Sequence, residues 1–545
     1  MTEIRSIPGS GSGLFATKDY KVGDVIIQED TPLIHLAPQS AAQEGRIVTE
    51  FRRSSQAAAA AAGGKLKDDQ PKPSLWSIVS PPSTVLEKDQ GKFKGMVQAA
   101  LCFVDSDVSA AVQEKLLQLY HPHPDPSNSE DMEGSNISPE EGEIVQLSVA
   151  AMEYLENLLD PQSKLYARLL AEKDTLRTVM LVWSCNSFDG GRVYDTISRI
   201  NHSCDPTAVV IAPEKSDGQT IRAAADVAAG DEISISYLGI LLYAGRQVRQ
   251  DSLRQTKHFQ CHCQRCTSAA DIAAVFPCPA CHPRKHQLPE DVQFDDDDDE
   301  TTVHYVTPIP NGENEHYEYT CSNSSNSSNH ATLDGDSKEL QSALTINRAV
   351  VDKVATFLQD FEIMQQSKGD DDSDNDIDDN GEQELVQGEL LEQTLGMASA
   401  VVGAKHWTTN LLVLLQLDRT LQTFHGDMLT EGAEPDLEVV AEAIDMLERL
   451  CRFAQGLKLQ LHMGHLLSNH VIGVARALVS LGDVKSQKYA SEWLKRLAGY
   501  TEHFENVGVQ KVVSALQIAW TRQDGSATGS NEEQDARQHK RPKSS

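Results

Sequence analysis

The sequence predicts an α+β protein whose short strands come in two separated blocks, followed by an all-α half. Three observations carry that expectation. Near the amino terminus GLFATKDY, VIIQE and PLIHL are β-rich runs, and AAGDEISISY (228–237) alternates strictly, with Ile233, Ile235 and Tyr237 on one face and Glu232, Ser234 and Ser236 on the other. Between the blocks, residues 107–184 change to apolar residues three and four apart, as in IVQLSVAAMEYLENLL. From about residue 338 to 522 nearly every segment is helical, LLVLLQLDRTLQTF and LEVVAEAIDMLERLCRFAQ among them.

Taken in order, the first strands are divided by the turn KVGD and end at Pro38. The stretch FRRSSQAAAAAAGGKLKDDQPKPS (51–74) is low-complexity, and on composition alone it builds no core. Strand signals return after residue 190. A cysteine-rich segment follows, and then an acidic, polar stretch that reads as a linker. The long helices beyond it, joined by short polar links, suggest an array of α-hairpins without a clean repeat period. Asp376, Asp378, Asn380 and Gly381 match the opening of a calcium loop. Gln387 stands where that loop wants a bidentate Glu, and Gln383 is polar at its eighth position, so an acidic disordered loop is expected instead.

The chain has 545 residues, room for two to four domains, and a formal charge of −33. DDDDDE (295–300) and DDDSDNDIDD (370–379) hold thirteen of the acids, in runs that self-repel and stay solvated. Direct nucleic-acid binding needs clustered Lys and Arg, so this balance argues against it and leaves basic proteins or peptides as partners. MTEIRSIPGSGSG lacks the apolar core of a signal peptide, and the richest apolar run, LLVLL (411–415), is too short to span a membrane. A cytoplasmic and/or nuclear setting is therefore expected, where the ten cysteines serve as ligands or catalytic groups before disulfides. The basic KRPK (540–543) is too short to decide nuclear import and reads as a solvated tail.

FQCHCQRC places Cys261, Cys263 and Cys266 close enough to face one tetrahedral zinc, which wants a fourth ligand. Cys204 of NHSCDP is the best candidate, with His262 as the strained alternative. As a nucleophile Cys204 would need a base and an oxyanion site that nothing else supplies, and as a buried filler it would leave the trio orphaned. Cys278 and Cys281 of FPCPACH form another half-site, and YTCSNS adds Cys321 but a serine, Ser324, where a further thiol would stand. A second zinc there would use His282, His286 or another residue as fourth ligand. Cys102, Cys185 and Cys451 lie in apolar helical surroundings and read as core.

GSGLFA, CNSF, NHSCDP, GDEISISY and FQCHCQRC follow one another in an order that resembles SET-domain protein lysine methyltransferases, most closely the SMYD branch, whose SET sequence is split by an insertion. The resemblance covers roughly residues 5–37 and 165–267. The helical half looks like the TPR-like domain of that branch. It implies a split SET β-fold with a zinc-bound post-SET segment and then an all-α domain. The first SET part would span 1–37, an insertion 38–164 (low-complexity over 51–90, then helical), and the second SET part 165–256. Post-SET cysteines would fill 257–290, a linker 291–337, and the TPR-like domain 338–524 with its acidic disordered loop at 368–384. Residues 525–545 would be a disordered tail.

The resemblance further implies knot-like short sheets, with the NHSC strand threading beneath a later loop, and a pocket for S-adenosylmethionine. Ser10, Gly11 and Ser12 would bring backbone close to the cofactor, Gly11 because no β-carbon intervenes. Asn186, Asn201 and His202 would hold its polar groups, and Phe259 would cover the adenine. Tyr237 would stand at the methyl group as the catalytic residue. The acceptor would be a lysine of a histone or non-histone protein. Two departures stand out. Cys102 is the only cysteine between residues 38 and 164, so no MYND finger fits there. Lys257 also stands where the branch commonly has a second active-site tyrosine. That lysine keeps a second reading open, a SET-like interaction module with little turnover.

Overall fold

The computed structural model describes residues 2–7, 11–61, 74–106, 108–120, 122, 139–188, 191–212, 217–282, 304–311, 316–322, 332–333, 335–368, 377–429, 437–467, 470–471, 473–474 and 477. The chain divides into two compact units, 1–238 with 250–263 and 239–249 with 264–545.

In the first unit, β1 (Thr2–Ile7) pairs antiparallel with β2 (Gly11–Ala16), Ile7 facing Gly11. Strand β2 continues onto β9 (Glu232–Ile235) through Leu14 and Ile233, and β9 holds β6 (Asn201–His202) in parallel. A second sheet runs β3 (Val25–Glu29), β8 (Gln219–Ala223), β7 (Ala208–Ile211), and a third joins β4 (Ile34–His35) to β5 (Arg192–Val193). The alternation expected of β9 is corrected at Ser234, which is buried beside Ile233 and Ile235 because its hydroxyl accepts the Thr207 N–H at 3.2 Å; β8 alternates, with residues 219, 221 and 223 buried. Leu14, Tyr20, Ile197, Ile200, Ile221 and Ile233 make the core between these sheets, none more than 1% exposed. The KVGD turn closes at Gly23, whose φ of 88° suits glycine, and Asp24 caps it by accepting the Lys21 N–H at 2.8 Å.

Among the described residues, seven α-helices lie between β4 and β5. They are α1 (Ala41–Ala61), α2 (Leu75–Ile78), α3 (Gln90–Asp105), α4 (Ala110–Leu117), α5 (Pro139–Leu158), α6 (Lys164–Ala171) and α7 (Lys173–Asn186). Ser74, Ser109 and Ser163 cap the starts of α2, α4 and α6 by accepting an N–H three residues on. Phe93, Met96, Met152, Leu155, Leu176 and Met180 are buried together. Each such side chain contributes about 1.5–3 kcal/mol, and the cluster extends to Ile34, Leu36 and Val193, so these helices share one core with β4 and β5. The expectation that 51–74 builds no core is corrected at its start. Phe51 is 2% exposed, and α1 runs ten residues past it, because alanine is the best helix former even where it packs little.

The second unit opens with Gly239–Arg249, which includes the first turn of α8 (Arg246–Lys257), and continues with α9 (Gln264–Thr267). A four-stranded antiparallel sheet of β10 (Phe276–Pro277), β11 (Tyr305–Asn311), β12 (His316–Cys321) and β13 (Thr332–Leu333) comes next. The expected linker over 291–337 therefore contains a hairpin. Val306, Tyr319 and Cys321 are buried against Phe276 and Leu340, an alternation that the neighbouring acid run hid. Among the described residues five helices follow: α10 (Lys338–Lys368), α11 (Ile377–Val401), α12 (Trp407–Leu429), α13 (Leu437–Gly456) and α14 (Gln460–Leu466). Val350, Val354, Leu391, Ala398 and Leu412 knit α10, α11 and α12. Residues 378–381 lie in α11, so a helix stands where a calcium loop would need a turn, while Asp376 falls outside the described residues, as do 369–375 and 525–545. Among the described residues no helix is long and apolar enough to cross a membrane.

Candidate active site and thiolate cluster

The NHSC segment is held from three sides. Upstream, the Glu29 carboxylate at the end of β3 accepts the N–H groups of Asp195, Thr196 and Ile197 at 3.1, 2.8 and 3.0 Å, fixing the turn that feeds β6. Asn201 donates through Nδ2 to Ser12 O at 3.2 Å and Glu232 Oε1 at 2.8 Å, tying β6 to β2 and β9. Downstream, the Ser203 N–H donates to Ile235 O at 2.9 Å.

Gly13 is where this arrangement leaves no room. A β-carbon there would stand 2.6 Å from Ile7 Cδ1, 2.7 Å from Glu232 Oε1 and 2.8 Å from Asn201 Nδ2. Sequence reasoning singled out Gly11 and passed over Gly13, whose demand for space comes from residues 188 and 219 positions away. Gly11 and Ser12 lie in β2 beside this cluster, and Ser10 falls outside the described residues.

His202 joins the site to the thiols. Its Nδ1 accepts the Tyr237 backbone N–H at 3.0 Å, so the ring proton sits on Nε2, which donates to Cys204 Sγ at 3.3 Å. With both ring nitrogens engaged, His202 offers a ligand its ring face and backbone. The rings of His202, Tyr237 and Phe259 form an aromatic trio with centroids 5.3, 5.9 and 6.4 Å apart. The Tyr237 hydroxyl donates to Ile200 O at 2.5 Å, and burial above all holds the phenol well above its ordinary value of 10.0. Tyr237 thus stays protonated, and its oxygen lone pairs remain to accept.

Asn186, at the end of α7, spends both amide protons on Tyr120 O (2.6 Å) and Val182 O (3.0 Å). For Asn186 and Asn201 alike, the side-chain oxygen is the atom left for a ligand. Both therefore ask for a donor, such as an ammonium or an amine N–H. Lys257 ends α8, its Nζ 5.5 Å above the Tyr237 ring and 3.5 Å from Cys185 O. The backbone then turns through His258 at φ 63°, a conformation rare for a side-chain-bearing residue, and this delivers Phe259 to the trio.

The sulfur atoms of Cys204, Cys261, Cys263 and Cys266 all lie within 4.8 Å of one another. Around tetrahedral zinc, with bonds of about 2.3 Å, sulfurs stand about 3.8 Å apart. The donor set thus fits a structural zinc, and its surroundings suit thiolates. His202 Nε2 donates to Cys204, and the fully buried guanidinium of Arg249 directs Nη2 to Cys266 Sγ at 3.9 Å. Gln250, also buried, clamps Cys261 by accepting its N–H at 2.9 Å and donating to its carbonyl at 2.6 Å. Neither Arg249 nor Gln250 was legible in the sequence, since both sit on a polar-looking helix. Cys278, Cys281 and Cys321 form a second group with sulfurs within the same 4.8 Å, Cys321 arriving on β12. His282 does not join them, because its Nε2 accepts the His304 N–H at 3.0 Å, and His286 lies outside the described residues. Cys102, Cys185 and Cys451 stand apart from both groups; Cys102 and Cys451 are buried as expected, while Cys185 is half-buried.

The strand of NHSC thus pairs with β9, and Tyr237 stands two residues beyond the end of β9. The SET domain model matches residues 11–238. Similar proteins include N-lysine methyltransferase SMYD2 of Gallus gallus, 24% identical over 277 residues, covering 48% of this chain and 58% of that one. Histone-lysine N-methyltransferase ASHR1 of Arabidopsis thaliana is 27% identical over 284 residues (49% and 55%), and human histone-lysine N-methyltransferase SMYD3 is 34% identical over 91 (15% and 20%). Within the SET proteins this one is SMYD-like. The chain spans about half the length, or less, of the curated relatives it matches.

Proposed function

We propose that the chain is an S-adenosylmethionine-dependent protein-lysine N-methyltransferase, acting on a lysine of a histone or non-histone protein in the cytoplasm or nucleus. The observation that carries this reading is Tyr237, its hydroxyl anchored on Ile200 O inside the His202–Phe259 trio, just past the end of the strand that pairs with NHSC. When bound, S-adenosylmethionine supplies a sulfonium methyl on a good leaving group, so the protein has mainly to position and desolvate. Asn186 and Asn201 oxygens suit its amine and ammonium donors, and the backbone of Gly11–Gly13 suits close approach. Tyr237 accepts an N–H of the incoming amine and aligns its lone pair; as a protonated phenol it is no base. The amine sheds its proton on entering an apolar site, where the charged form is disfavoured.

On this reading the SET sequence is split, with 38–164 as insertion, and the post-SET segment closes on zinc held by Cys204, Cys261, Cys263 and Cys266. That zinc would pin Phe259, two residues ahead of Cys261, over the cofactor. A second zinc on Cys278, Cys281 and Cys321 would staple the hairpin, and the helices from 338 on would be the TPR-like, partner-facing part. The competing reading, a SET-like interaction module, is favoured by Lys257 alone. Methyl transfer to a panel of basic proteins tests the two. The enzyme transfers methyl groups, and Tyr237→Phe slows it by at least about a hundredfold while cofactor binding holds. Cofactor binding with no transfer to any substrate overturns the enzyme reading.

A further inference from the structure

We propose that Lys257 is itself a methyl acceptor, modified within its own molecule, its ε-amine standing beside Tyr237 where a substrate amine would. The proposal rests on the methyltransferase reading above.

Four properties of Lys257 are those an acceptor needs. Its Nζ lies over the face of Tyr237, 5.5 Å from the ring centre. It donates to Cys185 O at 3.5 Å, an orientation that directs the amine without neutralising it. Among the described residues it has no carboxylate ion-pair partner, so the ammonium is held only by the Tyr237 ring face and the Cys185 carbonyl. Burial first, with the nearby charge of Lys92 adding and the Cys185 thiol opposing, holds the amine below its ordinary value of 10.5. At that ordinary value only about one amine in a thousand is neutral near pH 7.4, and each unit of lowering raises the fraction about tenfold. A lysine arriving from solution would have to be desolvated and oriented, whereas Lys257 is already both.

The step balances with the methyl donor alone. The Nζ lone pair forms the N–CH3 bond as the S–CH3 bond breaks, and its electron pair passes to sulfur. S-adenosylhomocysteine leaves as a neutral thioether, and the new methylammonium loses its extra proton to water. The residue expected at this place is an aromatic wall; here it is a nucleophile.

The full-length protein is incubated with isotopically labelled S-adenosylmethionine, alone and with the basic-protein panel, and mapped by mass spectrometry. One or more labelled methyl groups on Lys257, at a rate per molecule unchanged on dilution, is the expected result. Lys257→Arg and Lys257→Met should lose that label yet bind S-adenosylhomocysteine as the parent does, measured by calorimetry. An unlabelled Lys257 in protein that labels external lysines overturns the proposal and leaves the enzyme reading intact. An unlabelled Lys257 with no external transfer, the cofactor bound, overturns both. A rate per molecule that falls on dilution marks transfer between molecules and overturns the assignment. Loss of S-adenosylhomocysteine binding in both variants would make Lys257 a binding residue, and also overturns it.

Discussion

Gly13→Ala places one methyl group at the most crowded point of the candidate site. The added carbon would meet Ile7, Glu232 and Asn201 at 2.6–2.8 Å, where ordinary contacts need about 3.5 Å or more. All three are side-chain ends and can move, but moving them separates Asn201 Nδ2 from Glu232 Oε1, now 2.8 Å apart. A hydrogen bond to a charged group contributes about 1.5–3 kcal/mol, and overpacking costs about 1–3 kcal/mol. Against this stands a gain of about 0.4–1 kcal/mol, since alanine has less freedom to lose on folding. The net expectation is a loss of about 1.5–5.6 kcal/mol, or a fall in Tm of roughly 3–22 °C for a unit of this size. Thermal unfolding reads the first effect. Calorimetry with S-adenosylhomocysteine reads the second, an affinity lowered because Asn201 no longer presents its oxygen. An alanine variant that melts higher and binds unchanged would refute the reasoning, for it would show that Gly13 is merely a flexible position in a strand.

Chelation tests the thiolate cluster. The purified protein should carry zinc, and stripping it, or Cys204→Ser, should weaken S-adenosylhomocysteine binding by about tenfold or more, as Phe259 loses its anchor. Metal content unchanged in Cys204→Ser would refute the shared site, and Cys102→Ser serves as the control that keeps its metal. His258 gives a pH signature. Burial, then Lys92 and Lys257, hold its imidazole down to about 4 from an ordinary 6.5. Between those values the unfolded chain takes up a proton that the folded chain refuses, so stability falls as pH drops through that window. His258→Asn, which also tolerates φ 63°, should flatten the fall seen in urea unfolding between pH 7 and pH 5. An equal slope in the variant would refute the assignment.

Much of the site was legible because its residues sit in short motifs whose spacing is fixed by covalent geometry. Cys261, Cys263 and Cys266 converge since two and three residues of chain cannot separate them far, and Ile233 and Ile235 share a strand face by the period of two, with Tyr237 two residues beyond the end of β9. Cys204 was found by elimination, as the thiol the trio lacked. The insertion misled in part. Alanine-rich composition says nothing about whether a flanking Phe51 finds a core, and an acid run says little about the hairpin next to it. What the local sequence could not show were pairings across long separations: Gly13 against Asn201, Glu29 beneath the turn at 195–197, Gln250 clamping Cys261.

The sequence by itself determined which chemistry this protein carries, since donor atoms, aromatic rings and strand period are properties of residue type and near spacing. Only the tertiary structure decided which polar atoms are left for a ligand, because Asn186 and Asn201 give amide protons to Tyr120, Ser12 and Glu232, and His202 Nδ1 accepts the Tyr237 N–H, all partners from distant segments. It decided the place of Lys257 in the same way, bringing a helix-end amine over a tyrosine twenty residues earlier in the chain. Hydrogen-bond capacity is written in the side chain; what is left of it after folding depends on every neighbour the fold supplies.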